Sequence, residues 1–256
     1  MKVLILAGGF GTRLAEYTEV IPKPMVPIGG KPIIWHIMKY YASYGHNEFV
    51  LALGYKAEVI KKFFLELSST GSNFTVKTAS GDIEIHDSTA PDWKVTLIDT
   101  GLDSLTGERI ARVGKYLNHE PFFLTYGDGV SDIDIDALLS FHRSHQGLIT
   151  MSAVRPPARF GELAIAQDGA VESFQEKPQL HSGWINGGFF VVQPEFLDLI
   201  PRSNVMLERE PLEAATKVGQ LSAYKHEGFW QCMDTKRDVE LLQALWDSGE
   251  APWVRS

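Results

Sequence analysis

Apolar residues in this chain fall first into short unbroken runs and then into stripes spaced three and four apart, and the two patterns alternate. Residues 2–6, with Val3-Leu4-Ile5 at the centre, read as a strand buried on both faces. Residues 33–44 read as a helix, 49–53 as a strand and 56–67 as a second helix. Further strands are expected at 94–98 and 122–126, followed by a helix at 135–145 with Ile135, Leu138, Leu139 and His142 along one face. From Leu148 the runs shorten and turns intervene, Gln167-Asp168-Gly169 among them, so a smaller, partly antiparallel region is expected there. A last helix at 235–246 turns Val239, Leu242 and Trp246 inward, whereas 68–93 is polar and reads as an irregular excursion. The alternation predicts an α/β fold: a Rossmann-like, mainly parallel twisted sheet flanked by helices, with ligands at the C-terminal ends of its strands.

A chain of 256 residues with 44% hydrophobic content can bury the core of one large domain. Its net charge of −8 argues against a nucleic-acid partner, which needs a broad basic surface. Any site for anionic ligands must then gather its few cations locally. The single cysteine, Cys232, has no internal disulfide partner and suits a reducing compartment. Met1-Lys2 leads straight into a strand, and no run of about 20 apolar residues follows. A cytoplasmic enzyme with no membrane partner is the expectation.

The chemistry begins at Leu6-Ala7-Gly8-Gly9-Phe10-Gly11-Thr12-Arg13-Leu14, directly after the first strand. Glycines let backbone amides approach a ligand closely, and such loops commonly cradle phosphates. Arg13 adds a planar cationic fork. A Walker loop would continue with Lys and then Ser or Thr after the last glycine, and here Thr12 and Arg13 follow. The dinucleotide fingerprint fits poorly too, since Leu14 holds the place of its third glycine. Downstream, Ile21-Pro22-Lys23-Pro24-Met25 clamps a lysine between prolines, and Pro24 is expected to hold Lys23 extended. Glycines in a bare turn and a solvent lysine stay open as alternatives on these segments alone.

Together the two segments resemble the sugar-1-phosphate nucleotidylyltransferase family, whose signature is Leu-Ala-Gly-Gly-x-Gly-Thr-Arg-Leu followed by a Lys-Pro element. The likeness continues through Tyr126-Gly127-Asp128-Gly129, Phe160-Gly161-Glu162-Leu163, Glu176-Lys177-Pro178, Gly183-Trp184-Ile185-Asn186-Gly187-Gly188 and Phe229-Trp230-Gln231-Cys232-Met233-Asp234-Thr235. Residues 28–38, 184–190 and 248–253 are most similar to the branch that uses CTP and glucose 1-phosphate. The resemblance implies attack by the sugar phosphate on the α-phosphorus of CTP, with Arg13, Lys23 and Lys177 as catalytic cations. It implies nucleotide binding by Leu6, Ala7, Gly8, Gly9, Phe10, Gly11, Thr12, Arg13, Lys23, Ser104, Arg109 and Gly127. Gly161, Glu176, Lys177, Asn186 and Gly187 would hold the sugar phosphate, and Asp128 and Asp234 would bind Mg²⁺. Residues 1–256 then form one domain, with 1–147 mainly for nucleotide, 148–234 mainly for sugar phosphate and 235–256 as C-terminal helix and tail. Family members usually assemble as homo-oligomers, so one is expected here.

Thr235-x-x-Asp238 resembles a capping box, which leaves Asp234 free for metal. His142 and His145 read as a polar helix end, Trp35 and Trp246 as core, and Trp184 and Trp230 as candidates for the pocket wall. Rival readings are a thymidylyl- or uridylyltransferase, a nucleotide-sugar-dependent glycosyltransferase built on Asp132-Ile133-Asp134, and a non-catalytic relative that only binds nucleotide sugars. For the second, Asp134 reads more naturally as the start of the next helix. Cytosine offers acceptors at O2 and N3, so a base-facing arginine would favour it. Arg109 is the candidate, against the alternative of a surface-helix arginine, and Glu108 stands where the family usually has glycine. Arg109→Ala is expected to narrow the kinetic gap between CTP and UTP; an unchanged ratio removes Arg109 from base choice.

Overall fold

The computed structural model describes residues 1–156, 162–165, 170–175 and 183–255. Its centre is β1 (Lys2–Ala7), buried from Val3 onward, as an unbroken apolar run requires. Alternate residues serve opposite faces: Val3, Ile5 and Ala7 join one core cluster, Leu4 and Leu6 the other. The same sheet contains β2 (Glu48–Leu53), β3 (Lys94–Asp99), β4 (Phe122–Tyr126), β5 (Ile149–Val154), β6 (Ile185–Val192) and β7 (Leu221–His226). Their order across its seven strands is β7-β5-β6-β4-β1-β2-β3. β1 runs parallel to β2 and β4, β2 to β3, and β5 to β7; only β6 is antiparallel, to both β4 and β5. The mainly parallel sheet is therefore as expected, and the antiparallel pairing falls in the second half of the chain, where strands Glu162–Ile165 and Val171–Gln175 also pair antiparallel.

The first core cluster holds Ile33, Ile34, Ile37, Met38 and Tyr41 of helix Ile33–Ala42. The second holds Ile110 and Val113 of helix Thr106–Val113 against Leu4, Val50 and Leu124. Each such fully buried side chain contributes about 1.5–3 kcal/mol relative to exposure. The helix expected at 33–44 stops at Ala42 because Gly45, at φ 82, turns the chain left-handed. Helix Lys236–Asp247 begins at Thr235, whose side chain and that of Asp238 form the reciprocal capping box. Val239 and Leu242 face the core, and the indole of Trp246 covers Gly29, where a Cβ would stand 2.1 Å from Trp246 Nε1. Trp35 is half-buried against Trp93. His36 then ties the tail down: its Nε2 meets the Ile28 carbonyl at 2.8 Å and its Nδ1 accepts from Trp253 Nε1 at 3.3 Å.

Two expectations need correction. Residues 68–93 are not irregular: helix Ala57–Thr70 runs further, and strands Ser72–Val76 and Ile83–Ser88 form a hairpin. Its register sets Phe74 opposite Ile85 and Val76 opposite Ile83, a period-two pattern of two apolar residues per strand that surrounding Ser, Thr and Asn obscure. The four lie exposed on one face of an otherwise polar ribbon. The second correction concerns the histidines. Helix Ile135–Arg143 ends earlier than expected, and His142 points inward with 2% exposure. Its ring meets Thr150 Oγ1 and Gln193 at 2.8 Å each, while His145 meets the same threonine at 2.9 Å. Among the described residues no helix is long and apolar enough to cross a membrane.

Burial, with the charges of His145 and Arg143 behind it, pushes the His142 imidazole down to about 4 from the usual 6.5. The unfolded chain therefore takes up this proton first as pH falls, so stability present above pH 6.5 is lost toward pH 4. Urea unfolding at pH 7 and pH 5 should show that loss, with a shallower decline in His142→Asn. An equal decline in both proteins would contradict the assignment.

Candidate active site

The C-terminal end of β1 opens into the glycine loop, and each glycine there has a different reason. Gly11, at φ 64, turns the chain into the short helical turn Thr12–Leu14. Gly9 faces open space, whereas a Cβ on Gly8 would lie 2.4 Å from Arg109 Nη1. Gly8 thus makes room for the Arg109 side chain. Arg109 is buried; its Nη1 donates to the Leu53 carbonyl at 2.9 Å, Thr100 Oγ1 at 2.6 Å and the Gly101 carbonyl at 2.8 Å. Its Nη2 donates to the carbonyls of Gly8 at 3.0 Å and Leu102 at 3.1 Å. The surface-helix alternative for Arg109 does not hold: it binds the glycine loop to the ends of β2 and β3. Ser104 is anchored beside it, with Oγ donating to the Thr100 carbonyl at 2.5 Å.

Lys23 opens the turn Lys23–Met25, and the extended residue is Pro22, at φ −68 and ψ 149. The expectation of an extended Lys23 is therefore corrected by one position; the helical turn after Pro22 aims the lysine inward. Its ammonium donates to Asp128 Oδ2 and Asp234 Oδ1 at 2.5 Å each, and the residue is only 8% exposed. Arg13 Nη1 donates to the other Asp234 oxygen at 2.6 Å. Burial works against the charge on Lys23, but Asp128 and Asp234 outweigh it and hold the ammonium above its ordinary pKa.

A short ladder brings the two carboxylates together. Gly129–Ser131 pairs antiparallel with Trp230–Cys232, setting Gly129 opposite Cys232, and Met233 N–H donates to the Asp128 carbonyl at 2.9 Å. The backbone N–H groups of Asp234 and Thr235 are taken by Asp238 Oδ2 at 3.0 and 2.7 Å, so the Asp234 side chain is not used as the cap. The ligand atoms of Asp128, Cys232 and Asp234 lie within 4.8 Å of one another. Burial and the Asp128 charge push the Cys232 thiol up, so it stays protonated at neutral pH.

Around this cluster lies a crevice of about 360 Å³. Leu6, Ala7, Gly8, Gly9, Phe10, Gly11, Thr12, Arg13, Lys23, Ser104, Arg109, Gly127, Asp128 and Asp234 all line it. Asn186, Gly187 and Trp230 line a small adjoining cavity that shares Tyr126 and Asp128 with the crevice. Trp184 is not among the described lining residues; Arg155 and Lys225 lie over its ring instead. Gly161, Glu176 and Lys177 fall outside the described residues. Asp134 caps helix Ile135–Arg143 by accepting from Ala137 N, and Asp132 meets His226 at 2.9 Å, so the Asp-x-Asp element has structural partners. Sequence reasoning missed roles for Tyr126 and Glu208, whose side chains meet at 2.5 Å. Tyr126 reads from the sequence as the last residue of a strand, and no local signal marks a partner 82 residues away.

A profile of the nucleotidyl transferase family matches residues 2–251. The chain belongs to that family. Over 254 residues it is 50% identical to glucose-1-phosphate cytidylyltransferase of Salmonella typhi, covering 99% of this chain and 98% of the relative. It is 42% identical to the probable glucose-1-phosphate cytidylyltransferase of Bacillus subtilis, covering 99% of each chain. The crystal structure of HddC from Yersinia pseudotuberculosis superposes with a TM-score of 0.70 at 26% identity, over 96% of this chain and 99% of that one. A nucleotidyl transferase must bring anions together, and here the opposed charges are already assembled.

Removing Lys23 leaves Asp128 and Asp234 facing each other without the ammonium that bridges them. Breaking a buried pair costs about 3–5 kcal/mol. With the carboxylates 25% and 14% exposed, the loss in Lys23→Ala should be smaller, about 1–3 kcal/mol. Without nucleotide, Mg²⁺ should raise the melting temperature of Lys23→Ala more than that of the wild type. Equal shifts would mean that the carboxylates do not share one cation position.

Proposed function

We propose that this chain transfers CMP from CTP to α-D-glucose 1-phosphate, giving CDP-glucose and pyrophosphate. The convergence of Arg13, Lys23, Asp128 and Asp234 in one crevice carries the reading. The similarity to the cytidylyltransferases of Salmonella typhi and Bacillus subtilis supports the choice of substrates. A phosphate oxygen of the sugar phosphate forms the new bond to the α-phosphorus, and the bond from that phosphorus to the bridging oxygen breaks in line. Pyrophosphate leaves with that electron pair. The second pKa of a phosphomonoester is about 6, so the nucleophile is already an anion and no general base is needed. The barrier is charge: two unit charges about 4 Å apart repel by about 4 kcal/mol at an effective dielectric of 20. Positioning and fixed cations supply the remedy.

In this reading Lys23 and Arg13 pass from carboxylate to phosphate oxygens as the triphosphate enters. Arg13 is free to do so, with its side chain 74% exposed. The glycine loop, Ser104, Arg109 and Gly127 receive the nucleotide. Asn186 and Gly187 face the sugar, and Gly161, Glu176 and Lys177 complete its subsite on the strength of their sequence motifs alone. The donor set fits Mg²⁺: two carboxylates converge on one cation position, which the Lys23 ammonium takes here, and hard oxygen donors suit that ion. Asp128 and Asp234 would hold it, and when bound it would supply Lewis-acid stabilisation of the phosphoryl charge.

The division into a nucleotide-side half, 1–147, and a sugar-side half, 148–234, belongs to the same proposal, as does a cytoplasmic setting. So does self-association: an isolated two-stranded hairpin is marginal in water, and a second copy would cover Phe74, Val76, Ile83 and Ile85.

With Mg²⁺ and glucose 1-phosphate, the purified protein should release pyrophosphate from CTP far faster than from UTP or dTTP. Asp234→Asn should lower kcat/KM by about a hundredfold or more. No pyrophosphate from CTP, or a preference for UTP or dTTP, would overturn the reading.

A further inference from the structure

Tyr126 closes β4, and its phenol lies between the crevice and the adjoining cavity, lining both. Its Oη donates to Glu208 Oε1 at 2.5 Å, and Glu208 Oε2 accepts from Thr106 Oγ1 at 2.7 Å. Thr106 Oγ1 in turn accepts from the backbone N–H of Leu207 at 2.8 Å, which commits its proton to Glu208. On the other side, Asn186 Nδ2 donates to Tyr126 Oη at 3.2 Å, and Asn186 Oδ1 accepts from Gly188 N at 2.8 Å.

Donor and acceptor rules fix the direction of this chain. A carboxylate only accepts, so the phenolic proton goes to Glu208. The phenolic oxygen is then an acceptor, and Asn186 must turn its NH₂ toward it and its carbonyl toward Gly188. One amide N–H and one carbonyl lone pair remain to meet a ligand. The packing is built around the same ring: Gly188 sits at φ 80, and a Cβ there would lie 2.6 Å from Tyr126 Cδ2.

We propose that Tyr126 and Glu208 are a positioning pair that orients the Asn186 amide toward the sugar. Through Thr106 they tie that subsite to the first turn of the helix carrying Arg109. The inference rests on the cytidylyltransferase reading, in which Asn186 contacts the sugar.

The test is steady-state kinetics of the full-length protein with CTP, glucose 1-phosphate and Mg²⁺. Tyr126→Phe should raise KM for glucose 1-phosphate about tenfold while KM for CTP stays within about twofold of wild type. Glu208→Ala should reproduce that split, and Glu208→Gln, which keeps an acceptor oxygen for the phenol, should restore KM toward the wild-type value. In an Asn186→Ala background, Tyr126→Phe should add less than about a twofold change, because both substitutions remove one interaction. The pair is overturned if Tyr126→Phe and Glu208→Ala leave the sugar-phosphate KM unmoved, if they raise both KM values alike, or if Tyr126→Phe multiplies with Asn186→Ala. Normal wild-type turnover with any of those results overturns the pair alone. Absence of wild-type turnover overturns the functional reading and the pair with it.

Discussion

One ammonium group between two carboxylates organises this molecule's chemistry. Lys23 lies 2.5 Å from both Asp128 and Asp234, which stand 105 and 211 residues further along the chain. Without a cation between them they would repel in a half-buried crevice, where water screens poorly. With it, the site is neutralised in advance, and a protein of net charge −8 can hold its cations where anions must meet. In the proposed reaction phosphate oxygens would replace the carboxylates around Lys23 and Arg13, and a metal ion would replace the ammonium between the carboxylates.

The fold exists around that contact in a specific way. β1 sits between β4 and β2, so the loops leaving their C-terminal ends open side by side. The loop after β1 brings the glycines and Arg13, the residues after β4 bring Asp128, and the ladder of Gly129–Ser131 with Trp230–Cys232 carries Asp234 back from the far end. Arg109 then fastens the glycine loop to the ends of β2 and β3 through five contacts. Two helical layers bury the remaining apolar faces of the sheet.

Much of this was legible in the chain, for identifiable reasons. Val3-Leu4-Ile5 and Phe122-Phe123-Leu124 are continuous because both sheet faces are covered, and a run of that kind can be read locally. The glycine loop and Thr235-x-x-Asp238 are likewise local signals. What could not be read depends on distant partners. The weak alternation of Phe74, Val76, Ile83 and Ile85 needed its register to be seen, and His142 needed Thr150 and Gln193 to become a buried residue. Gly8 illustrates the limit best: its type was recognised, but the atom it makes room for belongs to Arg109, 101 residues away.

The most direct measurement is a crystal structure with CTP and Mn²⁺, located by its anomalous signal. The account expects one manganese peak between Asp128 and Asp234, with Lys23 Nζ drawn off those carboxylates onto triphosphate oxygens. A nucleotide bound with Lys23 still bridging both aspartates and the metal elsewhere would contradict it.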